Sequence, residues 1–215
     1  MRQPPLIVLG AGGHAKVVID LAHRLGRSVL AAVAPHPEPN RQILGVAVKD
    51  EDFVSAHTPD AVELALGIGM PTEKPIEGLA ARLMVAERFR ARGYRFPSLV
   101  HPTAIFGEEC TIGEGAQIMV GAILQPGCSV GPFAIVNTGA RVDHDGVLGE
   151  GCHVAPGATL GGNVQVGRET LVGIGATVRQ GIRIGARALI GGAAMVTADV
   201  ADGERRMGVP ARSDA

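Results

Sequence analysis

A six-residue period runs without interruption from Leu99 to Val200. The second position of each unit is apolar throughout, the sixth is Ala, Cys, Gly or Thr in fourteen units, and the third is Gly in nine. This period fits neither a 3.6-residue helix nor the two-residue alternation of hairpin strands, so it predicts short strands separated by turns. The seventeen units are LVHPTA, IFGEEC, TIGEGA, QIMVGA, ILQPGC, SVGPFA, IVNTGA, RVDHDG, VLGEGC, HVAPGA, TLGGNV, QVGRET, LVGIGA, TVRQGI, RIGARA, LIGGAA and MVTADV.

Three such units form one triangular coil, which places residues eighteen apart on successive coils about 4.8 Å from each other. The second-position side chain then points inward from a flat face, and the small sixth residue packs under a corner. We expect the third-position glycine to supply the backbone freedom that the turn demands.

Composition narrows the classes of protein that fit. Apolar residues make up 46% of the 215-residue chain but aromatics only 3%, which suits thin repetitive layers. A formal charge of -1 without a basic stripe argues against a nucleic-acid partner. The short apolar run near the N-terminus is neither a signal peptide nor a membrane span, so we expect a cytoplasmic protein without membrane insertion. Three cysteines without CxxC spacing argue against disulfides or a zinc site.

The part of the chain before the repeat has a β-α-β pattern. A buried strand leads into the glycine turn GAGGHAK and a helix, and a second strand, a third strand and a basic helix follow. This pattern predicts a small parallel sheet with flanking helices over residues 1–97, followed by the β-helix over 98–215. The predicted elements are strands at Leu6–Leu9, Ser28–Val33 and Ala61–Leu66 and helices from the glycine turn to about Leu25 and from Lys74 to Arg92.

The repeat resembles that of the hexapeptide-repeat acyltransferases, and GAGGHAKVV ahead of it resembles the sialic acid O-acetyltransferase and nucleotide-amino-sugar N-acetyltransferase family. The resemblance implies a truncated Rossmann-like α/β domain followed by a left-handed parallel β-helix. It also implies acetyl-CoA as co-substrate, no metal, and a homotrimer with its sites between neighbouring subunits. The N-terminal domain would hold the nucleotide end of the sugar.

The glycine turn contains the candidate residues for that nucleotide. Glycines between a strand and a helix bring backbone N–H groups against phosphate at the helix N-terminus, although a tight turn without ligand reads the same way. The resemblance makes Gly12, Gly13 and His14 substrate-binding candidates. Where family members carry acidic residues that contact the nucleotide, this chain has Ala34 to Glu38, so the base preference stays open.

A polar turn interrupts the repeat at Asp143, His144 and Asp145. Acyl transfer from a thioester needs a base for the acceptor proton and a donor for the developing oxyanion. Histidine is neutral and available near pH 7, and a neighbouring carboxylate can hold its tautomer. We therefore predict His144 as general base. Asp145 resembles the family's acidic neighbour and is preferred to Asp143 as its partner.

The eighteen-residue stacking adds a third member to this site. It places Gly162 one coil from His144, where the absence of a side chain leaves a slot for the thioester. The Gly162 N–H is predicted to point at the thioester oxygen, and the resemblance implies a backbone amide in that role.

Two further polar residues match family positions. His153 matches a histidine that helps to hold the acetyl group or the substrate, but it also fits a satisfied edge residue. Asn137 matches an asparagine that lines the sugar site, but it also fits an asparagine in a left-handed turn or a structural stack.

The coenzyme arm would meet exposed backbone further along the coil. Gly173, Ile174, Gly175 and Gly191 are candidates for the pantetheine amides, although each is equally well explained as a corner. Arg179 is a candidate for the phosphates of CoA, with a solvated surface charge as the alternative.

The function predicted is acetyl-CoA-dependent N-acetylation of a nucleotide-linked amino sugar, for surface polysaccharide or glycan synthesis. O-acetylation of a sialic acid is the alternative within the family. A β-helical carbonic anhydrase fits less well, because His144 and His153 stand nine apart and no His-x4-His occurs. A non-catalytic binding protein is the third reading.

Overall fold

The structure, a computed structural model, describes residues 3–69, 73–210 and 212–213. A mixed five-stranded sheet with flanking helices precedes a left-handed parallel β-helix. No helix within these described ranges is long and apolar enough to cross a membrane. The elements before the β-helix are β1 (Leu6–Leu9), α1 (Gly13–Arg24), β2 (Val29–Val33), β3 (Gln42–Ile43), β4 (Val46–Lys49), α2 (Asp52–Ser55), β5 (Glu63–Leu66) and α3 (Pro75–Arg90).

Each six-residue unit forms one two-residue strand at its first two positions. The chain ends in β23 (Arg205–Met207) and β24 (Arg212–Ser213), which pair antiparallel with each other. The strands of the β-helix are β6 (Leu99–Val100), β7 (Ile105–Phe106), β8 (Thr111–Ile112), β9 (Gln117–Ile118), β10 (Ile123–Leu124), β11 (Ser129–Val130), β12 (Ile135–Val136), β13 (Arg141–Val142), β14 (Val147–Leu148), β15 (His153–Val154), β16 (Thr159–Leu160), β17 (Gln165–Val166), β18 (Leu171–Val172), β19 (Thr177–Val178), β20 (Arg183–Ile184), β21 (Leu189–Ile190) and β22 (Met195–Val196).

Every third strand pairs in parallel, which produces three flat sheets and confirms the predicted eighteen-residue register. Val142, for example, pairs with Leu124 below it and with Leu160 above it. The second-position side chains and the small sixth-position residues fill one continuous buried column. Backbone hydrogen bonds between coils therefore fix which side chains lie above one another.

The glycines of the repeat have two different structural roles. The prediction that third-position glycines supply the backbone freedom of the turn is wrong. Backbone φ is positive at the fifth position, in eight glycines and seven other residues, and at none of the third-position glycines. Third-position glycines instead allow adjacent coils to approach. A Cβ on Gly149 would lie 2.6 Å from the backbone N of Arg168 and 2.7 Å from the carbonyl carbon of Gly167.

The N-terminal sheet has the strand order β3-β4-β2-β1-β5. Strands β2, β1 and β5 are parallel as predicted, and β4, which was not predicted, pairs in parallel with β2. The edge strand β3 pairs antiparallel with β4, so the sheet is mixed and not purely parallel. This hairpin was not predicted, because β3 has only two residues and β4 only four, too few for a clear hydrophobic period.

The N-terminal layer packs against one face of the β-helix, the sheet that contains β6, β9, β12, β15, β18 and β21. Leu99, Met119 and Ile135 from this face join the buried cluster beneath α1 and the N-terminal sheet. Phe133 joins a second cluster with α3 residues such as Phe89. The first-position residues on this face are therefore buried, except the half-buried Leu171, although they point out of the β-helix.

We predict that Gly149→Ala destabilises the chain more than Gly157→Ala. A Cβ on Gly149 would overlap with backbone atoms of the next coil, which cannot move aside. A Cβ on Gly157 would meet nothing within 4 Å, so the substitution adds only the strain of a φ of +68°. Urea unfolding should show a loss of about 3 kcal/mol for Gly149→Ala, from overpacking. It should show about 1 kcal/mol for Gly157→Ala, from left-handed strain. Equal losses would contradict the close-approach explanation.

Candidate active site

His144 and Asp145 form a hydrogen-bonded pair on the turn between β13 and β14. Nδ1 of His144 lies 2.9 Å from Oδ2 of Asp145, and the two side chains are 61% and 67% exposed. Asp145 holds the positive φ of the fifth repeat position, at +57°. Asp143 has a different task, because its Oδ1 accepts a 2.8 Å hydrogen bond from the backbone N–H of His144. Geometry thus pairs the imidazole with Asp145 and uses Asp143 to brace the turn.

This arrangement leaves Nε2 of His144 as the basic atom. Since Asp145 is an acceptor, Nδ1 carries the proton in the neutral imidazole and Nε2 holds the lone pair. The pKa of His144 is raised above 6.5, first by the hydrogen bond to Asp145, with smaller contributions from the charges of Asp143 and Asp145. The pair is therefore arranged to accept a proton and to stabilise the imidazolium that results.

Gly162 lies against this basic nitrogen from the next coil. The backbone N–H of Asn163 donates to the carbonyl of His144 at 2.7 Å, which fixes the two turns in register. A Cβ on Gly162 would lie 2.6 Å from Cε1 of His144 and closer still to Nε2. Any side chain at Gly162 would cover the imidazole, so the structure places bare backbone beside Nε2 of His144.

His153 and Asn137 form a second polar pair, on the face that the N-terminal layer covers. Asn137 Oδ1 accepts from the backbone N–H of Thr138 at 2.8 Å, which leaves Nδ2 to donate to Nε2 of His153 at 2.9 Å. His153 is therefore the neutral tautomer with its proton on Nδ1. Asn137 does not have a positive φ, so the left-handed-turn reading of this residue does not apply.

His14 is held at the start of α1 by a residue that sequence analysis missed. Gln117, on β9 and 1% exposed, donates from Nε2 to the carbonyl of Leu66 at 2.8 Å. Its Oε1 consequently accepts from Nε2 of His14, also at 2.8 Å. The sequence signal for Gln117 was its polarity at the first position of a unit, between the apolar residues Leu99 and Ile135 on neighbouring coils. Its depth depends on the packing of the N-terminal layer, which no local pattern reveals.

A buried arginine adds to the effect that burial has on both imidazoles. Arg82 on α3 is 1% exposed and donates from Nη1 to the carbonyl of Phe133 at 2.5 Å. Burial, followed by the charge of Arg82, lowers the pKa of His14 to about 4. Burial, followed by the charges of His14 and Arg82, lowers the pKa of His153 to about 3. Arg82 was not predicted as a site residue, because charged residues in a helix are usually solvated.

The predicted site residues do not all meet within one copy of the chain. Asn137 and His144 stand at opposite ends of β13, on different corners of the triangular coil. Gly12 and Gly13 are exposed at the start of α1 and line an open cavity with Lys16 and Arg41. Arg41 closes one side of this cavity, where Nη2 donates to the carbonyl of Ala11 at 2.6 Å.

The backbone expected to meet the coenzyme arm is only partly accessible. Ile174 is 66% exposed, and Gly175 and Arg179 are exposed as well. Gly173 and Gly191 are buried, and their N–H groups donate to the carbonyls of Ile190 and Arg206 at 2.9 and 2.8 Å. The expectation of exposed backbone is therefore wrong for these two glycines, since the neighbouring coil and the C-terminal segment cover them.

Comparison with known proteins covers almost the whole chain. Residues 5–74 match the PglD N-terminal domain family. The acetyltransferase domain of PglB from Neisseria gonorrhoeae FA1090 is 32% identical with a TM-score of 0.88, over 99% of this chain and 100% of that one. The chain belongs to the hexapeptide-repeat sugar N-acetyltransferase family. A variant of the perosamine N-acetyltransferase from Caulobacter crescentus, in complex with CoA and GDP-perosamine, is 32% identical with a TM-score of 0.87, over 98% and 97%.

The PglB domain has also been solved in complex with acetyl coenzyme A, and there the identity is 31% and the TM-score 0.90. Comparison with curated protein sequences gives no match. Family membership confirms the resemblance predicted from the repeat and the glycine turn. The similarity to the PglB domain covers both the N-terminal sheet and the β-helix of this chain.

Substituting the two aspartates separates their roles. We expect Asp145→Asn to lower the pKa of His144 toward 6.5, because the hydrogen bond to Asp145 is the largest cause of its elevation. Asp143→Asn keeps an oxygen for the His144 backbone N–H and is the matched control, with a smaller fall from the loss of one charge. NMR titration of the His144 ring protons measures both. A larger fall in Asp143→Asn would reverse the assignment.

Proposed function

We propose that this chain transfers the acetyl group of acetyl-CoA to the amino group of a nucleotide-linked amino sugar. The observation that carries the proposal is the exposed His144 imidazole, bonded through Nδ1 to Asp145 and flanked at Nε2 by the bare backbone of Gly162. The N-acetyltransferase relatives and the bound GDP-perosamine of one of them favour an amine acceptor over a sialic acid hydroxyl.

His144 acts as general base in a direct attack. Its Nε2 takes a proton from the amine as the nitrogen adds to the thioester carbonyl, and Asp145 stabilises the imidazolium. The backbone N–H of Gly162 steadies the oxyanion. The C–N bond forms and the C–S bond breaks, and the proton on His144 passes to the departing thiolate, which leaves as CoA. The products are the amide and the free thiol, without a covalent enzyme intermediate.

The N-terminal part, residues 1–97, supplies the nucleotide site in this proposal, and residues 98–215 supply the acetyl-CoA site. The open cavity at Gly12 and Gly13 lies at the N-terminus of α1, where backbone N–H groups favour phosphate, and Lys16 adds positive charge. His14 and Asn137 then extend the acceptor site towards the sugar. This placement is supported by the Gln117 link, which joins the start of α1 to the β-helix.

A homotrimer is the assembly that makes this site complete. His144 and Asn137 occupy different corners of one coil, so a single copy does not bring the base to the acceptor side. In a trimer, the His144 corner of one subunit faces the Asn137 corner of its neighbour. The acetyl-CoA would lie in the same groove, along Ile174, Gly175 and Arg179.

His153 belongs to the acetyl-CoA side of this groove in the proposal. Burial lowers the pKa of His153 to about 3, so this residue is neutral near pH 7 and does not compete with His144 for the proton. Acetyl-CoA and nucleotide sugars are cytoplasmic metabolites, and so the proposed place of action is the cytoplasm, in the supply of acetylated sugars for surface polysaccharide or glycan synthesis.

A thiol-release assay with acetyl-CoA tests the reaction against UDP-, GDP- and dTDP-linked 4-amino sugars and free sialic acid. We expect turnover with at least one nucleotide sugar. His144→Ala should lower kcat by about 10²- to 10⁴-fold, the usual contribution of a general base. His23→Ala, an exposed histidine on α1, is the matched control and should retain activity.

Two results would contradict the proposal. Full activity of His144→Ala would remove the base mechanism. Turnover with sialic acid and with none of the nucleotide sugars would replace N-acetylation by O-acetylation.

A further inference from the structure

The coil below the catalytic turn lies directly against the carboxylate of Asp145. Residue 127 stands eighteen positions before residue 145, and the backbone N–H of Asp145 donates to the carbonyl of Pro126 at 3.0 Å. A Cβ on Gly127 would lie 2.7 Å from Oδ1 of Asp145, while its next contacts, Cγ and N of the same residue, are at 3.7 Å. The missing side chain of Gly127 is therefore filled by one carboxylate oxygen.

Oδ1 of Asp145 is rigidly linked to Oδ2, the oxygen that bonds to His144. Oδ1 faces Gly127, and Oδ2 of the same planar carboxylate accepts from Nδ1 of His144 at 2.9 Å. The terminal torsion of an aspartate is soft, so a side chain at residue 127 would turn the carboxylate rather than disrupt the coil. Turning it moves Oδ2 away from the imidazole.

We propose that Gly127 is a positioning residue for the acetyl transfer, because its bare backbone sets the angle of the Asp145 carboxylate that orients His144. The inference rests on the proposed function for its kinetic consequence, but the geometry exists in the free protein. Three successive coils then contribute to the base: Gly127 below the carboxylate, the pair His144 and Asp145, and Gly162 above the imidazole.

The test compares Gly127→Ala with Gly121→Ala. Both glycines occupy the fifth position of a unit and have positive φ, +75° and +66°, so both variants carry the same left-handed strain. A Cβ on Gly121 would meet nothing within 4 Å, which makes it the matched control. Both variants should lower Tm by a similar amount.

NMR titration of His144 in the free protein is the primary measurement. We expect Gly127→Ala to lower the pKa of His144, and Gly121→Ala to leave it unchanged, since Asp143 and Asp145 are the charged groups that face the imidazole. In the thiol-release assay, Gly127→Ala should lower kcat by about tenfold or more, a part of the general-base contribution, with KM for acetyl-CoA little changed.

Two further variants keep the test decisive. Gly127→Asn introduces the same Cβ with less backbone strain, since Asn163 holds φ of +56° at the same position of the same corner, and it replaces Gly127→Ala if that variant does not fold. In an Asp145→Asn background, Gly127→Ala should have no further effect on kcat. An unchanged His144 pKa in the Gly127 variants would overturn the inference. Absence of turnover by the wild-type chain would overturn only the proposed function, because the titration needs no substrate.

Discussion

Backbone hydrogen bonds between successive coils, which hold residues eighteen apart in register, are the constraint on which the site depends. They run from coil to coil along the whole β-helix, as between the N–H of Asn163 and the carbonyl of His144. Because no unit carries an insertion, each side chain has one fixed neighbour above and one below. The exposed pair of His144 and Asp145 therefore has a defined geometry on a surface turn, where loop residues would otherwise sample many orientations.

A covered face distinguishes the N-terminal half of the β-helix. First-position residues that would be solvated in a bare coil are enclosed there by α1, α3 and the N-terminal sheet. Enclosure obliges each buried polar group to find a partner. The side-chain amide of Gln117 has two partners, His14 at the start of α1 and the carbonyl of Leu66 on β5. These two hydrogen bonds also fix the start of α1 relative to the β-helix.

The sequence was informative wherever chain periodicity alone decides the structure. The period gave the strands, the three faces, the column of small residues and the juxtaposition of His144 with Gly162, because each follows from counting eighteen. It failed where two parts of the chain pack together. Gly191 carries the pattern of an exposed corner but is buried by the C-terminal segment, and Arg82 carries the pattern of a solvated helix position but is enclosed. The turn glycines show a third kind of error. Periodicity located the glycines, but it did not show which of them have a positive φ and which allow two coils to approach closely. That difference depends on how neighbouring coils pack.

Three histidines of one chain are tuned in opposite directions by their surroundings. His144 is exposed beside two carboxylates, and its pKa rises. The half-buried His14 and the buried His153 lie near Arg82 and bond to amide side chains, and their pKa values fall to about 4 and about 3. Only the first can therefore exchange a proton near neutral pH, while the other two keep fixed tautomers and act as permanently neutral hydrogen-bonding groups. In the proposed mechanism, these different environments separate the proton-transfer role of His144 from the binding roles of the other two histidines. This separation follows from position in the fold: the corner turn leaves His144 in water beside Asp145, and the covered face removes water from His153. The proposed mechanism uses both environments, one for binding and one for proton transfer, and a β-helix with one covered face provides both.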